Sequence, residues 1–296
     1  MAMVGQNKWM KRTAILVFLL PSLLGLLLFQ LVPMIASGVI SFTDWNMLSD
    51  PKFIGADNYV KVFQDEKSYT SILNVFKFLV GYLPLVLLFG VLFALLLNRK
   101  VRGIKFYRAA IFIPVITSWI AVSIVWRWFL NGQSGLVNYF LSWFGIQGPV
   151  WLQDFFWAMP AIIAVTVWKD VGFVAIILLA GLQEIPDDYY EAAQIDGATS
   201  WSRLFKITLP LLTPALFFVL TISLINSFQL FDQVMIMTGG GPAGSTSTIV
   251  EQVYKNAFMN NKMGFASAQS WVLFAIIFVI TVIQNQLQKR WVIYEK

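Results

Sequence analysis

Long apolar blocks alternate with short polar segments along the whole chain. The blocks fall at about 14–40, 72–97, 109–130, 157–182, 211–236 and 268–288. A helix crosses the hydrocarbon core of a bilayer with roughly 20 residues at a rise of 1.5 Å each. Each block therefore predicts a transmembrane helix, and the fold class expected is all-α, polytopic, with six spans. Lys8, Lys11 and Arg12 precede the first block, as in a secretion signal. Its apolar run, from Thr13 to Ile40, exceeds the roughly 7–15 residues of a signal core, so it reads as a retained first span. Pro21, Pro33, Pro114 and Pro160 fall in or near the spans, where neighbouring helices can satisfy the backbone groups that proline frees.

Composition agrees with this patterning. Of 296 residues, 58% are hydrophobic and only 12% charged, too few charges to clothe a water-exposed surface of this size. The chain has no cysteine and no histidine, which excludes disulfides, thiol catalysis and metal sites built on those ligands. The net charge of +6 is not a nucleic-acid footprint, because the basic residues gather at span ends. The segment 98–108 holds Arg99, Lys100, Arg102, Lys105 and Arg108 and no acidic residue. Lys/Arg bias places it, both termini and the segment 183–208 on the cytoplasmic side. The outer segments are then about 41–71, 131–156 and 237–267. The expected organisation is a cytoplasmic segment 1–13, a membrane domain 14–290 and a cytoplasmic tail 291–296.

The segment 183–208 has the local signals of a helix–turn–helix. Pro186, Asp187 and Asp188 suit a helix start, Gly197 suits a left-handed C-terminal cap, and Thr199 or Ser200 can cap a second short helix. Trp201, Leu204 and Phe205 would give that helix an apolar stripe. Physical reasoning alone leaves an ordinary loop on the bilayer surface as an equal alternative.

Glu191-Ala192-Ala193, then Gly197, then Ile207, Leu209 and Pro210 stand at the spacing of the EAA loop, and the chain on these residues resembles the permease subunits of ABC importers. The form Tyr-Glu-Ala-Ala-x-x-Asp-Gly-Ala, ending at Asp196, Gly197 and Ala198, resembles their carbohydrate branch of maltose and glycerol-phosphate type. Two other stretches are similar to six-helix sugar permeases. One is Phe53 to Tyr59 with Phe63 and Ser71 to Asn74; the other is Thr238-Gly-Gly-Gly-Pro242, typical of the first permease of a heterodimeric pair. The resemblance implies a type I ABC importer transmembrane domain in a prokaryotic inner membrane. It implies that Glu191, Ala192, Ala193, Asp196, Gly197, Trp201, Leu204 and Phe205 form a coupling helix docked on a separate ATPase. The partners implied are a second permease chain, two ATP-binding subunits, an extracytoplasmic solute-binding protein and membrane lipid. The chain itself carries no nucleotide-binding signature and is expected to be no enzyme, with no cofactor.

The spans contain polar residues that should avoid lipid. On an uninterrupted fifth helix, at about 100° per residue, Ser223, Asn226, Ser227, Gln229 and Gln233 share one face about 160° wide, and Asp232 lies off it. Two roles are open for this face, contact between helices and the lining of a sugar cavity. In maltose-type permeases the matching helix carries a Ser-x3-Asn-x2-Asn sugar contact. Here Ser223 matches the serine, while Ser227 and Leu230 replace the two asparagines, so the sugar contacts must differ. Trp168, Asp170 and Gly172 in the fourth span are further candidates for the substrate pathway. Lys169 and Asp170 are adjacent and cannot face each other, so each needs another partner. The function expected is a sugar or oligosaccharide permease. The alternatives are a permease for glycerol phosphate or a polyol, for which Lys169 or Arg127 would supply the charge, and an ion-coupled secondary transporter.

Overall fold

The structure is a computed structural model that describes residues 8–293, with side chains from residue 15. The ends of the predicted terminal segments, 1–7 and 294–296, lie outside the described residues. The first span is one continuous rod: α1 (Lys8–Leu26), a π turn (Leu27–Leu31) and α2 (Val32–Ile40). Pro33 has no amide hydrogen and its ring crowds the carbonyl four residues back; the wide turn before it absorbs that clash. The rod is apolar on every side and largely uncovered, with Phe18 83% exposed. It rests on the bundle at α2, where Gly38 admits the ring of Trp271; a Cβ on Gly38 would lie 3.2 Å from Trp271 Cζ2.

A short surface helix, α3 (Asp57–Gln64), leads to α4 (Glu66–Leu97). Asp65 caps α4 by accepting from the Ser68 amide at 2.8 Å, so this helix begins before the predicted 72. The predicted third span, 109–130, is two helices. α5 (Ile104–Ile116) and α6 (Trp119–Phe129) meet at 96°, with Thr117 and Ser118 extended between them. The Thr117 hydroxyl donates back to Ile113 O at 3.1 Å and occupies a carbonyl at the end of α5. After the short helix α7 (Leu136–Trp143) comes α8 (Ala158–Glu184), the most deeply buried of the spans.

α4 and α8 form the centre of the core. Phe78, Tyr82 and Val86 of α4 cluster with Ile162, Ile163, Val167, Val174 and Leu178 of α8. Close approach rests on small residues, the usual device where lipid removes the hydrophobic drive between helices. A Cβ on Gly81 would sit 2.7 Å from Ile163 Cδ1, and one on Gly90 would collide with Val174.

The connection that follows α8 holds α9 (Asp187–Ile195) and α10 (Ser200–Arg203). A second π turn (Leu204–Thr208) precedes α11 (Leu209–Leu211) and again stands just before a proline, Pro210. The segment Ser200–Leu211 meets α12 (Thr213–Phe228) at 63°. The predicted helix over 211–236 is thus interrupted twice. α12 stops at Phe228, the chain unwinds over 229–231, and α13 (Asp232–Met237) starts afresh. The unwound carbonyl of Leu230 is satisfied by the Thr248 hydroxyl at 2.8 Å, as irregular backbone at membrane depth requires. α14 (Ile249–Tyr254) and a third π turn (Lys255–Met259) fill the segment before α15 (Met263–Trp291), the last span. Counting each bent pair once, the described residues contain six candidate spans, as the patterning predicts.

Candidate functional site

The break after α12 opens a cavity of about 310 Å³. Its walls are Phe78 and Tyr82 of α4, Trp119 of α6, Thr166 and Asp170 of α8, Asn226 and Ser227 of α12, the unwound Gln229, Leu230 and Phe231, and Asp232 and Gln233 of α13. Five elements and one unwound strand therefore converge on it. The Tyr82 hydroxyl donates to Asp170 Oδ2 at 2.9 Å, and its ring stacks on Phe78 with centroids 5.0 Å apart. The Ser227 hydroxyl donates to Ser223 O at 2.7 Å, and that of Thr166 to Ile162 O at 2.8 Å, each within its own helix. Among the described residues, no hydrogen-bond partner meets the side chains of Asn226, Gln229, Asp232 or Gln233. The cavity thus combines flat aromatic surface with amides and carboxylates that have bonding capacity left for a guest.

Of the residues singled out for the substrate pathway, Asp170, Asn226, Ser227 and Gln229 meet at this cavity. Ser223 is buried beside them as the acceptor for Ser227. Trp168 lies outside it, 44% exposed and edge-to-face with Trp126 at 5.4 Å. Gly172 lies outside it too. A Cβ there would run into the carbonyl oxygen of Ile111 and lie 3.1 Å from Val115 Cγ2, so this glycine lets α5 approach α8. Asp232, off the polar face on an uninterrupted helix, joins the lining because the helix is interrupted. Tyr82, Phe78 and Trp119 escape the sequence reading, although Tyr82 is a hydroxyl in mid-span and so carried a signal.

Neither nearby cation reaches the cavity. Lys169 Nζ donates to Val115 O at 3.1 Å, and Arg127 Nη1 donates to Ile236 O at 3.3 Å beside a separate cavity of about 370 Å³. Lys169 and Asp170 do point to different partners, as adjacency on a helix dictates.

The segment 183–208 forms the helix–turn–helix its signals predict. Gly197 has φ +74°, and the paired bonds of a left-handed cap close α9: Ala198 N to Ala193 O at 2.9 Å and Gly197 N to Gln194 O at 3.1 Å. Thr199 caps α10 by accepting from Ser202 N at 3.2 Å. Trp201 and Phe205 stack at 5.5 Å with rings 9° apart, yet Trp201 is 71% exposed and Ile195 87% exposed. Glu191, Ala192 and Asp196 are exposed as well, whereas Ala193 and Leu204 are half-buried. After α13 the Gly-rich run folds over a fully buried acid. Glu251 accepts from Ser247 Oγ at 2.6 Å and pairs with Lys255, which donates to Gly239 O at 3.0 Å.

Comparison with known proteins places this architecture. Residues 67–293 match the family described as binding-protein-dependent transport system inner membrane component. The "Probable ABC transporter permease protein YesP" of Bacillus subtilis is 38% identical over 94% of this chain and 91% of that protein. The trehalose/maltose transport system permease protein MalF of Thermococcus litoralis is 34% identical over 90% of each. Among solved structures, a chain of a bacterial alginate ABC transporter in complex with an alginate pentasaccharide-bound periplasmic protein superposes with a TM-score of 0.84 and 27% identity, over 96% of each chain.

Proposed function

Because the chain belongs to the family of binding-protein-dependent transport system inner membrane components, we propose that it is the permease subunit of an ATP-driven importer of neutral sugars or oligosaccharides. Membership makes it a transport component rather than an enzyme. The observation that carries the sugar reading is the cavity at the break of the fifth span. Asn226, Gln229, Asp232 and Gln233 bring amide and carboxylate groups with no partner in the chain, and Tyr82, Trp119 and Phe231 bring ring faces. Sugar hydroxyls would satisfy the first set and apolar sugar faces would pack on the second. The named sugar permeases among its relatives support the same class.

The charge of the lining favours sugar over glycerol phosphate. Two carboxylates, Asp170 and Asp232, line the cavity, while Lys169 and Arg127 are bonded elsewhere. A phosphate there would meet like charge and no counter-charge, so the glycerol-phosphate reading loses its support.

In this reading residues 14–290 are the permease domain, with both termini and the coupling loop 183–208 in the cytoplasm. The exposed Ile195, Trp201 and Phe205 beside Glu191 and Gly197 enter a groove on one of two ATP-binding subunits. A second permease chain completes the pathway within the lipid, and a solute-binding protein delivers sugar to the outer face. ATP-driven movement of the loop passes through the π turn Leu204–Thr208 into α12, whose far end carries Asn226 and the break.

The test is import into proteoliposomes holding the assembled complex and its binding protein. The binding protein sets the apparent affinity, so the maximal rate is the readout. Replacing Asn226 and Gln229 with Ala is expected to cut that rate about tenfold or more, equivalent to about 1.4 kcal/mol in the rate-limiting barrier, at normal yield of complex. An unchanged rate would remove this cavity from the pathway.

A further inference from the structure

Lys169 is only 4% exposed, and no carboxylate lies within ion-pairing distance of it among the described residues. Its neighbour Asp170 is engaged with Tyr82 on the other side of α8. The ammonium instead donates to Val115 O at 3.1 Å and lies 4.7 Å above the centre of the Trp119 ring. Those two residues flank the 96° break of the third span.

The position is chemically specific. In an uninterrupted helix the carbonyl of Val115 would accept from the amide of Trp119, four residues on. Here Trp119 opens α6 instead, and the Val115 carbonyl stands at the end of α5, where helix carbonyls lack partners and carry the negative end of the dipole. The face of an indole is negative as well. One ammonium therefore satisfies both surfaces that the break creates. Straightening the span would return the carbonyl to its own helix and leave a cation bare at membrane depth, a costly state. Gly172, one turn further along α8, acts in the same direction, since its missing Cβ admits Ile111 O and Val115 against α8.

We propose that Lys169 is a positioning residue that pins the bend between α5 and α6 and thereby fixes Trp119 in the wall of the cavity. The bent span is held by a bond between spans, with Thr117 and Ser118 as the joint. Lys169 is thereby committed to structure, which is why a lysine next to Asp170 adds no positive charge to the cavity lining.

The chain has no cysteine, so a pair of spin labels can be placed without background. Cysteines at Ile113 on α5 and Ile124 on α6, both exposed, report the bend by pulsed dipolar spectroscopy in the assembled complex. The expected result is one narrow distance in the parent, a broadened or longer one in Lys169→Met, and recovery in Lys169→Arg, at equal yield of complex. A Lys169→Met distance as narrow as the parent's overturns the proposal. If Lys169→Met does not assemble, Lys169→Gln takes its place, since its amide is uncharged and too short to keep both the Val115 carbonyl and the Trp119 ring. Broadening there supports the pin and an unchanged distance overturns it. The effect on import rests on the cavity reading above. If that reading holds, Lys169→Met slows import about tenfold and Lys169→Arg restores it. A broadened distance with parental import keeps the pin and takes the cavity out of the pathway, so the two claims fail separately.

Discussion

Gly197 is needed for its backbone alone. Its φ is +74°, and a Cβ built on it would meet nothing within 4 Å. A β-branched residue there suffers from its own conformation, by roughly 1–2 kcal/mol, and not from a neighbour. Gly197→Val is therefore expected to abolish coupled import and weaken capture of the ATP-binding subunit, whereas Gly197→Asn should retain most of both, because asparagine tolerates the left-handed region. Equal loss in the two variants, measured by pull-down and import, would show that the turn is not what matters. The two polar neighbours Asn226 and Ser227 should part in the same way. Ser227 already gives its hydroxyl to Ser223 O, so Ser227→Ala is expected to change import less than threefold, below about 0.7 kcal/mol. Asn226→Ala should cost more, since its amide faces the cavity without an internal partner. Residues with local signals, such as Gly197 and Thr199, could be read from the chain directly. Phe78 and Trp119 could not, because what matters is their meeting across separate spans.

Among the elements, the apolar blocks located six spans, and their interruptions stayed hidden. Proline is a poor guide to them: Pro84 and Pro160 sit in α4 and α8, which each run on as one helix, while the third span turns at Thr117 and Ser118, after Pro114. Hydropathy is blind to a bend, since both halves of a bent span are equally apolar. The helical wheel failed for the same reason. It carried one angle per residue across Gln229 to Phe231, where the helix stops, and so misplaced Asp232. The glycines of α4 belong to this scale too. A Cβ at Gly90 collides with Val174 on α8, so Gly90→Ala overpacks the central helix pair, at a cost of typically 1–3 kcal/mol. The purified complex should melt several degrees lower, and Gly25→Ala, in the uncovered α1 where the added Cβ meets nothing within 4 Å, provides a control for handling. A Gly90→Ala complex as stable as the parent would mean that α4 and α8 separate easily.

At the scale of the whole molecule, the orientation expected from the Lys/Arg bias is open to a direct test. Asp187 and Asn260 are both exposed and lie at opposite ends of the bundle. With cysteine placed at one or the other, a membrane-impermeant thiol reagent added to intact cells is expected to label Asn260→Cys and spare Asp187→Cys until the cells are opened. The reverse order of labelling would invert the protein and move the coupling loop to the wrong side of the membrane.

The uncovered first helix has a consequence in time. Helices that bury one another must wait for partners before they reach their final places, and α8 is of this kind. Among the described residues, the rod formed by α1 and α2 meets the other spans chiefly where Gly38 lies against Trp271, and that contact is made with the last of the six spans to be synthesised. Its entry into the bilayer therefore owes nothing to the bundle. As the chain leaves the ribosome, this helix can settle first and hold the growing chain at the membrane while the remaining spans are still being made. A ribosome-arrested chain ending near residue 97 should already resist extraction by alkaline carbonate, and the same chain with charges placed at Leu20 and Leu24 should lose its early hold on the membrane.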